Sequence, residues 1–279
     1  MADFKRYDDL FSFKKDTFPY LEKNEVVNNL IMGLLKNGEN VQPTLMATLI
    51  KEKEIILVLL QTDPERNIIL SHTNQVIDKE LETITHHLIE ELKEAPGLEG
   101  DRNLVLKLGE KLSTSCGIQF EIRMKQKIYK LEKVKKAPIG VGALRKVNLT
   151  DLPIISEWVY QFCVDVNEPI TVEDARKKAE EVINRQRLYA WEIDGKMVSM
   201  ANATRPTQNN ITISLVYTPA DERKKGYASN CVSALSQFML DQGYKTTSLY
   251  TDLDNPTSNK IYMEIGYEEV AESIVIRKH

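Results

Sequence analysis

The stretch Leu215 to Ser229, LVYTPADERKKGYAS, runs from an apolar strand through a short polar loop into a helix. The first turn of a helix presents N–H groups with no partner inside the helix, together with a partial positive charge, so such a junction favours anions. Gly226 and Ala228 are small enough to let a bulky anion approach those N–H groups, and Arg223, Lys224 and Lys225 add cationic charge beside them. The chemistry this permits is a grip on a diphosphate. A basic loop before a helix also reads as an ordinary solvated connection. Two other phosphate motifs are excluded, because the segment has no Gly-Lys-Ser/Thr ending and no Gly-x-Gly-x-x-Gly precedes the helix.

A second segment, Tyr250 to Tyr267, reads YTDLDNPTSNKIYMEIGY: it leaves a strand, caps a helix and stops at a glycine. Asn255 followed by Pro256 is a cap and first-turn pair, which explains Asn255 by helix capping alone. Tyr262 lies mid-helix beside Ile261 and Ile265, where packing accounts for it as readily as chemistry does.

Taken together, in this order and at this spacing, the two segments resemble the GNAT superfamily of acyl-CoA N-acyltransferases. Arg223-Lys224-Lys225-Gly226-Tyr227-Ala228 matches that family's Arg/Gln-x-x-Gly-x-Gly/Ala motif, and Asn255, Ser258 and Tyr262 before Gly266-Tyr267 match its second motif. The resemblance covers about Val141 to His279. Weaker similarity, in segments such as PGLEGDRNLVLKLGEKL and KIYKLEKV, links the whole chain to a bacterial group with a divergent GNAT-like domain in front of the functional one. The N-terminal part has no Arg-x-x-Gly-x-Ala loop before a helix. The resemblance therefore implies two tandem α/β domains of mixed sheet: residues 1–137, degenerate and without a cofactor motif, and residues 138–279, the acyltransferase.

The number and spacing of the histidines and cysteines give no metal site, and the same resemblance implies acetyl-CoA as cosubstrate. Its contacts would come from Val216, Tyr217 and Thr218 on the strand, from Arg223, Lys224, Lys225, Gly226, Tyr227, Ala228 and Ser229, and from Asn255 and Ser258. Four positions separate Pro219 from Arg223, one more than in many members, so the strand N–H that stabilises the oxyanion falls to Val216 or Tyr217. Tyr262 takes the role of acid toward the leaving thiolate, the conjugate base of a thiol of pKa about 8.5. The attacking amine must be neutral, although a lysine-like amine has a pKa of about 10.4, so a base or water relay is required. Glu192 and Asp194 are near the expected cleft, but Glu192 alternates with Tyr189, Trp191 and Ile193 and reads as a solvent-facing strand position. The base is unassigned. A rival reading is a non-catalytic acyl-CoA-binding or sensing module acting through a protein partner, and a third is a purely structural α/β protein.

The elements that must position these residues follow from periodicity. In the N-terminal part, helical patterns at about 7–17 and 25–36 precede apolar strands at 45–50, 55–61 and 68–71. Ile77, Leu81, Ile84, Leu88 and Leu92 then make one helical stripe, a second helix spans about 102–114 before Gly117, and 118–131 alternates as one or two strands. The charged, then Pro/Gly-rich stretch 130–142 reads as an exposed inter-domain connection. Beyond it come a strand at 143–147, a helix capped by Thr150 and Asp151, and a helix from Thr171 to about 187. Strands at 188–193 and 197–203 are joined by Asp194-Gly195, and a strand at 210–217 carries Ile211, Ile213 and Leu215 on one face. The helix 227–241, a strand at 248–253, the helix 256–265 and a last strand at 274–276 complete the order.

Composition limits the function classes. At 279 residues, with 42% hydrophobic and 28% charged content, the chain reads as a soluble two-domain protein. A net charge of -4 argues against a nucleic-acid partner. With no apolar run of signal-peptide or membrane-span length, the reading is cytoplasmic with no membrane partner. The expected partner is a small-molecule or peptide amine acceptor, the chain itself being a monomer or homodimer. Cys116, Cys163 and Cys231 are too far apart for metal-ligand spacing and read as buried reduced thiols. His86 and His87 are adjacent, hence about 100° apart on a helix, and read as solvent-facing.

Overall fold

A computed structural model describes residues 2–37, 43–73 and 75–279. In chain order the elements are β1 (Asp3–Arg6), α1 (Leu10–Leu21), α2 (Asn29–Asn37), β2 (Leu45–Lys51), β3 (Glu54–Gln61), β4 (Ile68–Leu70), α3 (Asp78–Glu91), β5 (Gly97–Asp101), α4 (Arg102–Cys116) and β6 (Phe120–Leu131). They continue with β7 (Ala143–Lys146), α5 (Leu152–Asp165), α6 (Val172–Asn184), β8 (Leu188–Ile193), β9 (Lys196–Thr204), β10 (Asn210–Tyr217), α7 (Tyr227–Asp241), β11 (Thr246–Asp252), α8 (Pro256–Ile265) and β12 (Glu268–Lys278). The chain divides into two compact units, Met1–Ile128 with Tyr250–Asn255 and Glu269–His279, and Tyr129–Leu249 with Pro256–Glu268.

In the first unit the strands run in the order β1-β2-β3-β4-β5-β12, antiparallel except for the parallel pair β4–β5. The stripe Leu81, Ile84 and Leu88 of α3 packs with Leu104, Val105 and Leu108 of α4 and with strand residues such as Leu57 and Leu59. On the alternate positions, Met46, Val58 and Leu60 pack with Phe13 of α1 and Ile31 and Leu35 of α2. Apolar residues on both faces of β2 and β3 explain why these strands read as continuous apolar runs.

Several elements differ from the sequence reading. β1 and β5 are strands that periodicity does not reveal. β5 is short and holds Gly97 and Gly100. A Cβ at Gly97 would stand 2.0 Å from the Ile276 carbonyl oxygen, and one at Gly100 2.7 Å from that of Leu70, so close packing of neighbouring strands demands glycine where propensity argues against a strand. β12 is far longer than 274–276, because Ser273 to Arg277 pair with Asp101 to Gly97. Cys116 is exposed, whereas Cys163 and Cys231 are buried. His86 and His87 are exposed, the latter stacked on Phe4 with ring centroids 4.2 Å apart.

In the second unit the order is β11-β10-β9-β8-β7, with β10–β11 parallel and the others antiparallel. α7 supplies Cys231, Val232, Leu235 and Met239 to one face, while α5 and α6 cover the other through Ile155, Trp158, Val159, Ala175, Ala179 and Ile183. The helix expected to start at Thr150 and Asp151 is preceded by a 3-10 turn, Leu149–Asp151, and the capping side chain is Asn148, whose Oδ1 accepts from the Thr150 N–H at 2.9 Å. Thr171 caps α6 as its type suggests, accepting from the Asp174 N–H at 3.1 Å.

Candidate functional site

The site begins with a break in β10. Ser214 faces Asn202 and Tyr217 faces Met200, so two residues, Leu215 and Val216, oppose the single Ala201. Leu215 takes a left-handed backbone, φ 50°, which a leucine adopts only where its surroundings force it. The extra residue inverts the alternation. Leu215 therefore does not share a face with Ile211 and Ile213, as simple periodicity suggests: it packs on the α5–α6 side, and Val216 takes its place on the α7 side. The parallel register of β10 with β11 runs from Asn210↔Thr246 to Ile213↔Leu249, so the bulge lies just past its last pair.

Beyond the bulge, a 3-10 turn, Ala220–Glu222, fills the stretch between Pro219 and Arg223. Lys224 and Gly226 both have positive φ, 64° and 84°, on either side of Lys225, and alternation of this kind turns successive N–H groups toward one point. The N-cap of α7 is Gly226, with no side-chain cap. Among the described residues, the six consecutive main-chain N–H groups of Lys224 to Ser229 find no acceptor. A Cβ at Gly226 would meet nothing within 4 Å, so the glycine answers to its positive φ and not to crowding. The residues present thus fit a diphosphate, through main-chain donors at an uncapped helix start.

The cationic side chains are engaged differently from the simple reading of added charge. Arg223 pairs with Asp165 at 2.6 Å, and its Nε donates to the Thr218 carbonyl at 2.9 Å. Lys225 binds the carboxylate of Glu222 at 2.8 Å, and Lys196 binds the other oxygen of the same group. The two ammonium groups, Lys196 foremost, hold the Glu222 carboxyl below the usual carboxylate range. Lys224 is exposed and, among the described residues, has no ion-pair partner. Asp165 and Glu222 belong to the site's electrostatics, yet neither carries a sequence signal, since Asp165 stands 58 positions before its partner.

Tyr262 sits in α8, half-buried, with its ring edge-on to that of Tyr267 at 6.1 Å between centroids. Burial pushes its phenol well above the ordinary tyrosine value, and Tyr267 nearby adds to the effect. Tyr267 itself shares short contacts with Ser236 and Thr247 hydroxyls, 2.8 Å each, whereas the Tyr262 hydroxyl has no hydrogen-bond partner among the described residues. Val216 of β10, Tyr227 at the start of α7 and Tyr262 of α8 all pack against the same buried cluster of the second unit. Ser258 is half-buried in the first half of α8, and Thr218 shares a 2.9 Å contact with the Ser199 hydroxyl. Asn255, exposed, donates its N–H to the Asp252 carbonyl at 3.1 Å within the first unit.

Glu192 is held by Arg145, which also makes two hydrogen bonds to Asp151, at 2.9 and 3.1 Å, so its carboxylate is committed to an ion pair. Asp194 forms the turn between β8 and β9, with φ 48°. The stretch 130–142 is mostly exposed, but its backbone is fastened. The Ile139 N–H and carbonyl bond the Asn230 side chain at 3.0 and 2.8 Å, and the Ser233 hydroxyl and the Ile265 carbonyl take the backbone of Lys136 and Lys135. Among the described residues there is no group of three or more His, Cys, Asp or Glu side chains placed to hold a metal ion, and no helix long and apolar enough to cross a membrane.

Residues 154–267 match the family model described as the acetyltransferase (GNAT) family. An acetyltransferase of the GNAT family from Colwellia psychrerythraea superimposes with a TM-score of 0.65 at 13% identity, covering 99% of each chain. A GCN5-related N-acetyltransferase from Sphaerobacter thermophilus gives 0.64 at 11% identity, over 99% of this chain and 95% of that one. A tandem GNAT protein from the clavulanic acid biosynthesis pathway gives 0.57 at 11% identity, over 100% and 98%. At these identities the likeness is one of fold, and it spans nearly the whole chain. No curated protein sequence matches.

Proposed function

We propose that the chain is an N-acyltransferase that moves an acetyl group from acetyl-CoA to a primary amine by direct attack on the thioester. The observation that carries this reading is the open run of unpartnered N–H groups from Lys224 to Ser229, set directly behind a bulged strand in a GNAT domain. Acetyl-CoA supplies the activated acyl group. The main-chain amides of the loop and of α7 hold its diphosphate, with Thr218, Asn255 and Ser258 as further contacts. A main-chain N–H at the broken ladder stabilises the oxyanion of the tetrahedral intermediate, and of Val216 and Tyr217 the bulge favours Val216, whose ladder pairing is disrupted. Tyr262 protonates the leaving thiolate, a role open to a phenol that is protonated at neutral pH and whose hydroxyl no group among the described residues binds. In this reading residues 1–137 are the divergent GNAT-like part without a coenzyme of its own and residues 138–279 the transferase, whereas the compact units divide at Ile128 and place Tyr250–Asn255 and Glu269–His279 in the first unit.

Two measurements test the reading. Acetyl-CoA at a hundred times its Kd should stabilise the protein by about 2.7 kcal/mol in a thermal-shift titration. Free thiol should then appear with at least one member of a panel of small amines, polyamines, amino acids and peptides. Stabilisation with no thiol release from any amine would favour a non-catalytic acyl-CoA-binding module, and no stabilisation would remove coenzyme binding altogether.

A further inference from the structure

Arg223 opens the basic run, and charge alone would make it a phosphate ligand. The structure engages it elsewhere. Its Nη2 donates to Asp165 Oδ2 at 2.6 Å, its Nε donates to the Thr218 carbonyl oxygen at 2.9 Å, and the guanidinium carbon lies 5.7 Å from the centre of the Tyr217 ring. Tyr217 packs in turn on Trp158 of α5, with ring centroids 5.9 Å apart. Asp165 is the last residue of α5, so one side chain joins the start of the coenzyme loop to the end of a helix and to the end of β10. Extending the reading above, we propose that Asp165 and Arg223 act together as positioning residues that hold the loop so that the Lys224–Ser229 amides converge, and that Arg223 is not itself a phosphate ligand.

A guanidinium is a flat fork whose donors point in fixed directions, so once Nε and Nη2 are bonded to a carbonyl and a carboxylate its orientation is set. Turning it toward a diphosphate would break both bonds. The two side chains are 45% and 44% exposed, so the ion pair alone contributes little, and the carbonyl bond and ring contact provide the orientation. Lys224, which has no ion-pair partner among the described residues, keeps the cationic character of the loop.

Asp165→Asn separates the two readings because they predict opposite signs. Were Arg223 a phosphate ligand, removing its competing carboxylate would free the cation and tighten acetyl-CoA binding. With the pair as a positioning device, Asp165→Asn weakens binding about two- to five-fold, the range of a half-exposed ion pair. Arg223→Ala then weakens it about ten-fold, since a hydrogen bond from a charged donor to the Thr218 carbonyl is lost as well. The double variant binds no more weakly than Arg223→Ala, because both changes break one device. Arg223→Lys gives a second separation: lysine keeps the charge but not the fork, so it behaves like the alanine variant under the positioning reading and like the wild type under the other.

The readouts are the Kd for acetyl-CoA by titration calorimetry and the acetyl-CoA-induced rise in Tm above each variant's own unliganded Tm, which cancels any general loss of stability. Unchanged or tighter binding in Asp165→Asn, or additive losses in the double variant, overturns the proposal. A wild-type protein with no acetyl-CoA-induced rise overturns the acyl-CoA reading itself, and this inference with it; a wild type that binds while Asp165→Asn binds as well or better overturns only the positioning role.

Discussion

Two helices in this chain follow a buried strand that pairs in parallel with the next: α3 after β4 and α7 after β10. At α3 the third helical residue is Glu80. Its carboxylate is buried, accepts from the Ile77 N–H at 3.3 Å and meets the Lys51 ammonium at 3.0 Å. At α7 the same position is Ser229, the first turn holds no acidic residue, and the N-cap is an uncovered glycine. Both helix starts attract negative charge by the same physics. One meets that demand with its own side chain, whereas at the other no protein group among the described residues does. The difference between the closed and the open junction is thus a matter of what stands at the third helical position and in the turn before it.

The comparison can be broken at several points. The largest effect belongs to the chemistry placed beside the open junction: Tyr262→Phe should retain acetyl-CoA binding while lowering turnover about ten-fold to a thousand-fold, as loss of a general acid does. Steady-state thiol release alongside calorimetry checks this, and unchanged turnover would take Tyr262 out of the mechanism. Next, Ser229→Glu transplants the plug of α3 into α7. It should cut acetyl-CoA affinity by at least about ten-fold through like-charge repulsion and occupation of the amides, with the circular dichroism spectrum unchanged. Undiminished affinity would show that the diphosphate does not sit there.

Smaller effects lie at the closed junction. Glu80→Ala should cost about 1 kcal/mol of stability through the lost cap, read from chemical denaturation. The pH dependence sharpens the same point. The hydrogen bond from Lys51 lowers the Glu80 pKa below its ordinary value, so this group's contribution is present above about pH 4.3, its unfolded value, and fades as pH falls through the lower folded value. Glu80→Gln should flatten the acid limb of the stability curve below about pH 4. A limb of unchanged slope would mean that the pairing with Lys51 contributes nothing.

Legibility in the sequence was uneven, for reasons that can be located. The open junction is a local feature. Its main-chain donors, small residues and cationic side chains all lie within Leu215 to Ser229, and these are properties of consecutive residues. The helices α7 and α8 were readable to the residue, because their apolar stripes and the stop at Gly266 are also local. The break in β10 was not. Nothing in ISLVY marks Leu215 as left-handed, since the bulge exists only in register with Ala201 on β9. β5 was missed because its glycines argue against a strand until Ile276 and Leu70 are seen pressing on them.

The amino-acid sequence by itself determined that an anion-seeking helix start follows an apolar strand, and that a tyrosine helix lies downstream of it, because both are written in short-range spacing. Tertiary structure alone decided which face Leu215 and Val216 occupy, that Arg223 is held by Asp165 and the Thr218 carbonyl, and that Val216, Tyr227 and Tyr262 share one cluster. The physical reason is range. Propensity and periodicity act over a few residues, whereas strand register and ion pairing join residues far apart in the chain, and only the folded arrangement sets their distances.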